Sequence, residues 1–321
     1  MNIIILFSLL ILFSYVLIKA TEFLVDSLND LSKSAKIGKY ALTSVVVALA
    51  TSLPELFVCV VAALEAQQNL ALGNILGSNI ANLSLVIGGA VLLGGTINVN
   101  GNLFKKDLLA VFFAAVLPLF LLLDNTLSRV DGLFLLLIFG VYNYSLLRDS
   151  SRVMPGKKYG ILTRLADNGS KKKLAWVFIG LATMLIAADI IVKISSGIAQ
   201  TLHLPLLLIG LFFVAIGTSL PELSFSIKAI REKQTSMVFG DLIGSVVANS
   251  TFILGLTALI SPIKVNYMSS FSLATIFFLI IYFLFWVFIR SKRKLERWEA
   301  GVLVLVYLLF IFLEFFKDGK F

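Results

Sequence analysis

The hexapeptide TSLPEL occurs twice in this chain, at residues 51–56 and again at residues 218–223. At the same offset of 167 positions, and without a gap, GNILGSNIAN (73–82) aligns with GDLIGSVVAN (240–249). When residues 50–82 are aligned with residues 217–249, 14 of 33 positions are identical. Chance agreement between Leu-rich sequences gives Leu, Val and Ile matches rather than Pro, Glu, Asn and Ser matches in register. The chain is therefore an internal duplication.

The composition around the two motifs is that of a membrane protein. Of 321 residues, 59% are hydrophobic and 14% are charged, whereas soluble domains have about a quarter of their residues charged. The apolar runs are long and continuous, which predicts helices, and at roughly 20 residues per span the length admits about ten. We therefore expect an all-α integral membrane protein whose surroundings are the lipid bilayer, with no nucleic acid as partner.

The apolar runs define ten predicted spans. The spans are predicted near 2–19, 40–64, 70–94, 107–123, 131–148, 174–192, 204–229, 238–260, 270–289 and 300–316.

The chain has a single cysteine, which excludes an intrachain disulfide or a cysteine-rich metal site.

The basic residues predict the orientation of these spans. With ten spans, 22 of the 27 Lys and Arg residues fall on the connections of one face and 5 on the other. Cytoplasmic connections carry the excess of Lys and Arg in membrane proteins. The split predicts a multi-pass protein of the cell (plasma) membrane with both termini outside.

The duplication divides the chain into two five-helix halves. The first half is 1–148, with its motif at 48–82, and the second is 174–321, with its motif at 215–249; a basic cytoplasmic linker, 149–173, joins them. Because five is odd, the second half enters the membrane from the opposite side. Such inverted-topology repeats are the plan of many secondary transporters, with the substrate site near the midplane. Two membrane enzymes fused in tandem would show the same duplication.

Each motif places a glutamate, Glu55 or Glu222, inside an apolar span. A carboxylate there costs several kcal/mol unless it faces a cavity or a counter-ion. Pro54 and Pro221 precede these glutamates, and a proline removes one helix hydrogen bond. The carbonyls around 47–51 and 214–218 are then free to serve as hard oxygen ligands.

The spacing of the polar residues aligns further oxygens. Residues four apart share one helix face, so each repeat offers two polar pairs toward a common centre. Hydroxyl, carboxamide and carboxylate oxygens without His or Cys suit Na⁺, Ca²⁺ or Mg²⁺ and argue against zinc or copper. The glycine pairs Gly73/Gly77 and Gly240/Gly244 favour close helix packing. The four polar pairs are Thr51/Glu55, Ser78/Asn82, Thr218/Glu222 and Ser245/Asn249.

These motifs resemble the α-1 and α-2 repeats of the cation/Ca²⁺ exchanger superfamily, most closely its prokaryotic Na⁺/Ca²⁺ exchanger branch. The resemblance implies a transporter rather than an enzyme, with Ca²⁺ and Na⁺ as transported ions, no separate cofactor, and a monomer as the functional unit. It also implies alternating access, in which two long tilted helices, near 2–36 and 174–202, slide against the other eight.

The resemblance assigns the ion ligands residue by residue. Glu55 and Glu222 would be the central ligands of Ca²⁺ and Na⁺. In one departure from the duplication, Asp241 stands where the first copy has Asn74, which adds an acid near the site. Asn82 and Asn249 would be a pair at the middle of the site. The flanking ligands would be Thr51, Ser52, Ser78, Thr218, Ser219, Ser245 and the backbone carbonyls of Ala48 and Ala215.

Three functions remain open from the residues. The first is Ca²⁺/Na⁺ antiport. The second is exchange of Ca²⁺ or another divalent cation for H⁺, because the same glutamates could titrate when desolvated. The third is an integral membrane enzyme such as a metal-dependent lipid hydrolase, which would need a nucleophile or general base at an interface. The only histidine, His203, lies outside the motifs.

Overall fold

The computed structural model describes residues 3–32, 48–98, 103–151, 168–266 and 268–316. Within these ranges the chain is almost entirely helical, as the apolar runs predict. The basic segment at 33–39 and residues 152–167 of the predicted linker lie outside the described residues.

Within each described range the helices follow one another with short connections. The described residues include four two-residue strands, which lie in these connections: β1 (Ile97–Asn98), β2 (Thr126–Leu127), β3 (Ile263–Lys264) and β4 (Lys294–Leu295). The α-helices are α1 (Ile3–Ser32), α2 (Ala48–Thr51), α3 (Leu53–Leu64), α4 (Gln68–Ala81), α5 (Ile87–Gly94), α6 (Leu103–Leu121), α7 (Arg129–Ser151), α8 (Asn168–Leu202), α9 (Leu206–Leu208), α10 (Ala215–Thr218), α11 (Leu220–Arg231), α12 (Thr235–Val247), α13 (Leu254–Ile260), α14 (Met268–Lys292) and α15 (Arg297–Phe316).

The two motif copies fold into the same order of elements. In each copy a four-residue helix (α2 or α10) leads into a twelve-residue helix (α3 or α11). A helix of similar length follows (α4 or α12), then a π-helical segment, at Asn82–Val86 or Ala248–Ile253. A third π-helical segment, Ile209–Val214, connects α9 to α10. π-helical turns are rare and are frequently found at functional sites.

Seven stretches of the described residues are long and apolar enough to cross a membrane. Two shorter apolar helices, Leu53–Leu64 and Val111–Asp124, accompany them. The protein is therefore a helical, multi-pass membrane protein. The seven stretches are Ile3–Phe23, Gln68–Gly94, Phe178–Leu202, Leu206–Arg231, Met237–Ile260, Met268–Ser291 and Arg297–Phe316.

Helices α1 and α8 are longer than the apolar runs predicted from sequence, 2–19 and 174–192. A charged residue ends an apolar run but does not end a helix. Lys19 continues α1 and pairs with Glu22 one turn later, at 2.7 Å. The two helices pack along each other, and the Thr21 hydroxyl lies 4.0 Å from Met184 Sδ.

Two antiparallel ladders join the halves of the chain. β1 pairs with β4, so that Ile97 lies opposite Leu295. β2 pairs with β3, so that Leu127 lies opposite Ile263. Each ladder therefore takes one strand from the first half and one from the second.

Helix α4 lies at the centre of the fold, with nearly every side chain from residue 70 to 81 buried. It packs against α9, α10 and the π-helical segment between them. A Cβ on Gly73 would collide with the backbone of Leu207, and one on Gly77 with the backbone of Leu211. For this glycine pair the prediction of close helix packing is confirmed. The close approach brings Ser78 next to the second motif copy.

Candidate ion-binding site

The helix of each motif breaks one residue after its threonine. Ser52 lies between α2 and α3 with φ −82° and ψ 6°, and Ser219 lies between α10 and α11 with φ −87° and ψ 4°. Pro54 and Pro221 stand in the first turn of the new helix, where the missing N–H costs little. Each break therefore leaves a glutamate in the first turn of the helix that follows it.

One cluster, called half-site A, consists of Glu55, Asn74, Ser78 and Thr218. The Ser78 hydroxyl lies 3.5 Å from Glu55 Oε1 and 3.4 Å from the Thr218 hydroxyl. Thr218 also donates to Asn74 Oδ1 at 3.2 Å. Three of these residues come from the first motif copy, and Thr218 comes from the second. Ser219 lies beside the Glu55 carboxylate as well.

The second cluster, half-site B, mirrors the first and consists of Thr51, Glu222, Asp241 and Ser245. The Thr51 hydroxyl donates to Asp241 Oδ1 at 2.9 Å and lies 3.3 Å from the Ser245 hydroxyl. Thr51 also lies beside the Glu222 carboxylate. Each half-site thus takes its threonine from the opposite motif copy. The two copies build one site together.

Carboxamides occupy the space next to the two half-sites. Asn249 donates to Asn79 Oδ1 at 3.2 Å, and Asn79 donates to the Ser250 hydroxyl at 2.7 Å. Asn82 is fully buried, and neither polar atom of its carboxamide has a hydrogen-bond partner among the described residues. The predicted pair Asn82 and Asn249 is therefore buried, and the Asn249 carboxamide donates its hydrogen bond to Asn79.

Several buried oxygens of the site have no hydrogen-bond partner among the described residues. They include both carboxylate oxygens of Glu222, one of Glu55 and one of Asp241, together with the hydroxyls of Ser52 and Ser219. The ion pairs found in the described part of the chain, at Lys19, Lys193 and Lys294, leave these acids out. A buried, unpaired carboxylate is costly. The site is thus built of oxygens whose cost a bound cation would offset.

The two predicted backbone ligands are the carbonyls of Ala48 and Ala215, and the structure describes the surroundings of Ala215 in more detail. The Ala215 carbonyl accepts the Ser219 N–H at 3.0 Å and lies 3.3 Å from the Thr218 hydroxyl. Ala48 begins α2, and its side chain lies outside what the structure describes. In the described conformation the Ala215 carbonyl is therefore already an acceptor.

A site of this kind mixes a few carboxylates with neutral oxygens. In the ranges that the structure covers, no group of three or more His, Cys, Asp or Glu side chains is placed to hold one metal ion. Hydroxyls and carboxamides would complete the ligand set, as they do for hard cations.

Sequence reasoning missed two members of this polar centre. Asn79 and Ser250 are buried and bonded to each other. Their positions in the other copy hold Val246 and Leu83, so the comparison of the two copies gave no signal. Their only sequence signal is a polar residue inside an apolar span.

Fold and site together define a class: a multi-pass helical membrane protein with an oxygen-lined site between two copies of one motif. Known proteins narrow the class further. The family model described as sodium/calcium exchanger protein matches residues 5–148 and 172–316. The chain belongs to this family, and the resemblance to the cation/Ca²⁺ exchanger superfamily is confirmed.

Individual relatives agree with this assignment. The sodium/calcium exchanger MaX1 of Methanosarcina acetivorans is 28% identical over 346 residues, covering 97% of this chain and 98% of MaX1. The inner membrane protein YrbG of Escherichia coli is 31% identical over 266 residues, 81% of each chain. A solved structure of the sodium-calcium exchanger NCX_Mj, soaked with Na⁺ and Sr²⁺, has a TM-score of 0.65 at 26% identity, covering 96% of this chain and 98% of that one. The protein is therefore an exchanger-type membrane transporter.

Proposed function

We propose that this protein is a secondary antiporter that exchanges Ca²⁺ for Na⁺ across the plasma membrane by alternating access. One observation carries the proposal: Glu55 and Glu222 are both buried, follow a helix break, and lie beside a threonine hydroxyl from the opposite motif copy. The names of MaX1 and NCX_Mj, which are sodium/calcium exchangers, support the choice of ions.

The ligand set follows from the two half-sites. Glu55 and Glu222 would be the central ligands of both ions. One carboxylate oxygen of Glu55 and both of Glu222 are buried without a hydrogen-bond partner among the described residues. Hydroxyl, carboxamide and carbonyl oxygens would complete the coordination. The proposed accessory ligands are Thr51, Ser52, Ser78, Asn82, Thr218, Ser219, Ser245, Asn249, Ala48 and Ala215.

The charge of the two glutamates favours obligatory exchange. Two carboxylates supply −2, which one Ca²⁺ neutralises, whereas three Na⁺ leave +1. Moving the empty cavity, with its charge of −2, through a low-dielectric barrier is costly. The site would therefore change its access side when it is filled, and the Na⁺ gradient would drive Ca²⁺.

We further propose ten spans arranged as two inverted repeats, with both termini outside. The ladders support this arrangement: with ten spans, the connections that hold β1 and β4 fall on the cytoplasmic face, and those that hold β2 and β3 fall on the outer face. Each pair of strands is therefore on the same side, as pairing requires. The moving element would be the pair α1 and α8, packed against the motif helices, and the monomer would be sufficient.

Ion flux into vesicles tests the proposed function. Purified protein would be reconstituted into vesicles loaded with Na⁺, and uptake of radioactive Ca²⁺ would be followed after dilution into Na⁺-free buffer. Uptake should require the outward Na⁺ gradient and should stop when Na⁺ is equal on both sides. A pH gradient at equal Na⁺ provides the second arm. Uptake driven by that gradient and indifferent to Na⁺ would establish H⁺ exchange and reject the Na⁺ coupling.

A further inference from the structure

The two half-sites are alike in shape but unequal in charge. Half-site A carries one carboxylate, Glu55, whereas half-site B carries two, Glu222 and Asp241. The difference arises at a single position of the duplication, because Asp241 is the counterpart of Asn74. Both side chains are buried, at 1% and 0% exposure.

In half-site A, the carboxamide at this position is satisfied by its neighbours. Asn74 accepts from the Thr218 hydroxyl at 3.2 Å and donates to Cys59 Sγ at 3.5 Å. An amide has both a donor and an acceptor, and here each finds a partner. Asn74 therefore links α4 to its surroundings without adding charge.

The carboxylate of half-site B is not satisfied in the same way. Asp241 accepts one hydrogen bond, from Thr51, and its Oδ2 has no partner among the described residues. The same Thr51 lies beside Glu222, both of whose carboxylate oxygens are likewise buried and unpartnered. Two acids therefore meet around one hydroxyl, away from the lysines whose ion pairs the structure describes. Two buried carboxylates that close together disfavour each other's ionised form, and a cation bound between them would offset this cost.

We propose that Asp241 is a cation ligand in its own right, and that with Glu222 it makes half-site B the tighter position for a hard cation, Na⁺ or Ca²⁺. This inference rests on the proposed function, because it adds a third carboxylate to the same site. The cation would be held by Asp241 Oδ2 and Glu222, with the Thr51 and Ser245 hydroxyls completing the oxygen set. Half-site A, with Glu55 alone, would hold its cation more weakly.

The duplication itself supplies the variants that test the assignment. Asp241→Asn makes both half-sites Asn-type, and it should weaken equilibrium Ca²⁺ binding to the purified protein by about tenfold or more. The double exchange Asn74→Asp with Asp241→Asn restores the total charge and moves it to half-site A, so Ca²⁺ affinity should return to within about threefold of wild type. Asp124→Asn, at an exposed turn outside the site, controls for the loss of one acid and should leave binding unchanged.

The outcomes separate this inference from the proposed function. If wild-type protein binds Ca²⁺ and exchanges it for Na⁺ while Asp241→Asn binds Ca²⁺ as tightly as wild type, Asp241 is not a ligand and the proposed function stands. If wild-type protein shows neither binding nor exchange, the proposed function itself fails.

A structural measurement keeps the assignment testable should Asp241→Asn not fold. Crystals of wild-type protein soaked in Sr²⁺, located by anomalous scattering, should show an ion with an Asp241 oxygen at about 2.3–2.7 Å, close to the range of Ca²⁺–oxygen bonds. Ions bound at the glutamates with both Asp241 oxygens beyond about 4 Å would overturn the proposal.

Discussion

Each glutamate of the site is surrounded by hydroxyls that its own motif copy does not supply in full. Glu55 lies near Ser78 of its own copy and near Thr218 of the other. At the residue scale, the carboxylate charge and the neutral oxygens would have separate roles in the proposed site. The charge would provide most of the attraction for a cation, and the hydroxyls would set the size of the cage.

We predict that Glu55→Gln and Glu222→Gln each abolish measurable Na⁺-driven Ca²⁺ uptake. Two unit charges about 4 Å apart interact by about 4 kcal/mol at an effective dielectric constant of about 20, and about 1.4 kcal/mol is a factor of ten in affinity. Loss of one carboxylate should thus weaken Ca²⁺ binding by at least about 100-fold. The matched control is Glu65→Gln, an exposed acid just beyond α3, which should exchange normally. Uptake by both site variants at the wild-type rate would refute the assignment.

The sequence pointed to the buried acids and hydroxyls of the two half-sites, but it did not point to Asn79 and Ser250. Glu55 and Glu222 were identifiable because an acid in an apolar span is conspicuous and because the same position of the motif is a glutamate in both copies. Asn79 and Ser250 were not, since their role depends on which helix faces which. That choice depends on tertiary packing and not on any local pattern.

At the scale of single elements, the helix breaks matter most. The break at Ser52 turns the chain so that α2 presents Thr51 to half-site B while α3 carries Glu55 in half-site A. The break at Ser219 does the same for the second copy. One kinked span can therefore serve both half-sites.

We predict that Pro54→Ala lowers Na⁺-driven Ca²⁺ uptake by about tenfold or more without lowering the unfolding temperature. Alanine returns an N–H to residue 54, so the Ala50 carbonyl can regain a helical partner and the kink can relax. Pro118→Ala, inside α6 and outside the site, is the matched control and should keep most of its activity. Equal uptake by Pro54→Ala and wild type would mean that the kink is not needed for exchange.

We predict that Gly77→Ala destabilises the protein by about 1–3 kcal/mol, the usual cost of overpacking. The new methyl group would collide with the Leu211 carbonyl and the Ala215 side chain and force α4 away from the second motif copy. Gly140→Ala, where nothing lies within 4 Å of the new Cβ, should be neutral or slightly stabilising. Thermal unfolding in detergent measures both; a Gly77→Ala protein as stable as the Gly140→Ala protein would contradict the packing described.

The helical type of the elements was predictable from the sequence, but their detailed geometry was not. An all-apolar run has no polar face from which to read its periodicity, so the π-helical turns at Asn82–Val86 and Ile209–Val214 left no trace in the sequence. The apolar runs alone also stopped short of the ends of α1 and α8, because charged residues remain helical when they pair within the helix, as Lys193 does with Asp189 at 2.8 Å.

At the scale of the whole molecule, strands of one half pair with strands of the other, and the threonine of each motif copy contacts residues of the other copy. Each ladder and each half-site takes part of its structure from both halves of the chain. Neither half could complete the site alone. The internal duplication predicted that both motif copies contribute polar residues to one site. The pairing of the short strands could be seen only in the folded structure.

We predict that the two ladders lie on opposite faces of the membrane. In a Cys59→Ser background, single cysteines would replace Asn98, Lys294, Thr126 and Lys264 in turn, and intact cells would be treated with a membrane-impermeant maleimide. Cysteines at 126 and 264 should react from outside, and those at 98 and 294 only after permeabilisation. Labelling of 98 and 126 from the same side would rule out the ten-span inverted arrangement.

The central claim is that Ca²⁺ and Na⁺ compete for one buried carboxylate site, and equilibrium binding tests it most directly. Radioactive Ca²⁺ would be titrated into purified wild-type protein at increasing Na⁺, with choline keeping the ionic strength constant. We predict that Na⁺ raises the apparent Kd for Ca²⁺ with a steeper than first-order dependence, because more than one Na⁺ replaces each Ca²⁺. Ca²⁺ binding that is unaffected by Na⁺ would contradict the account.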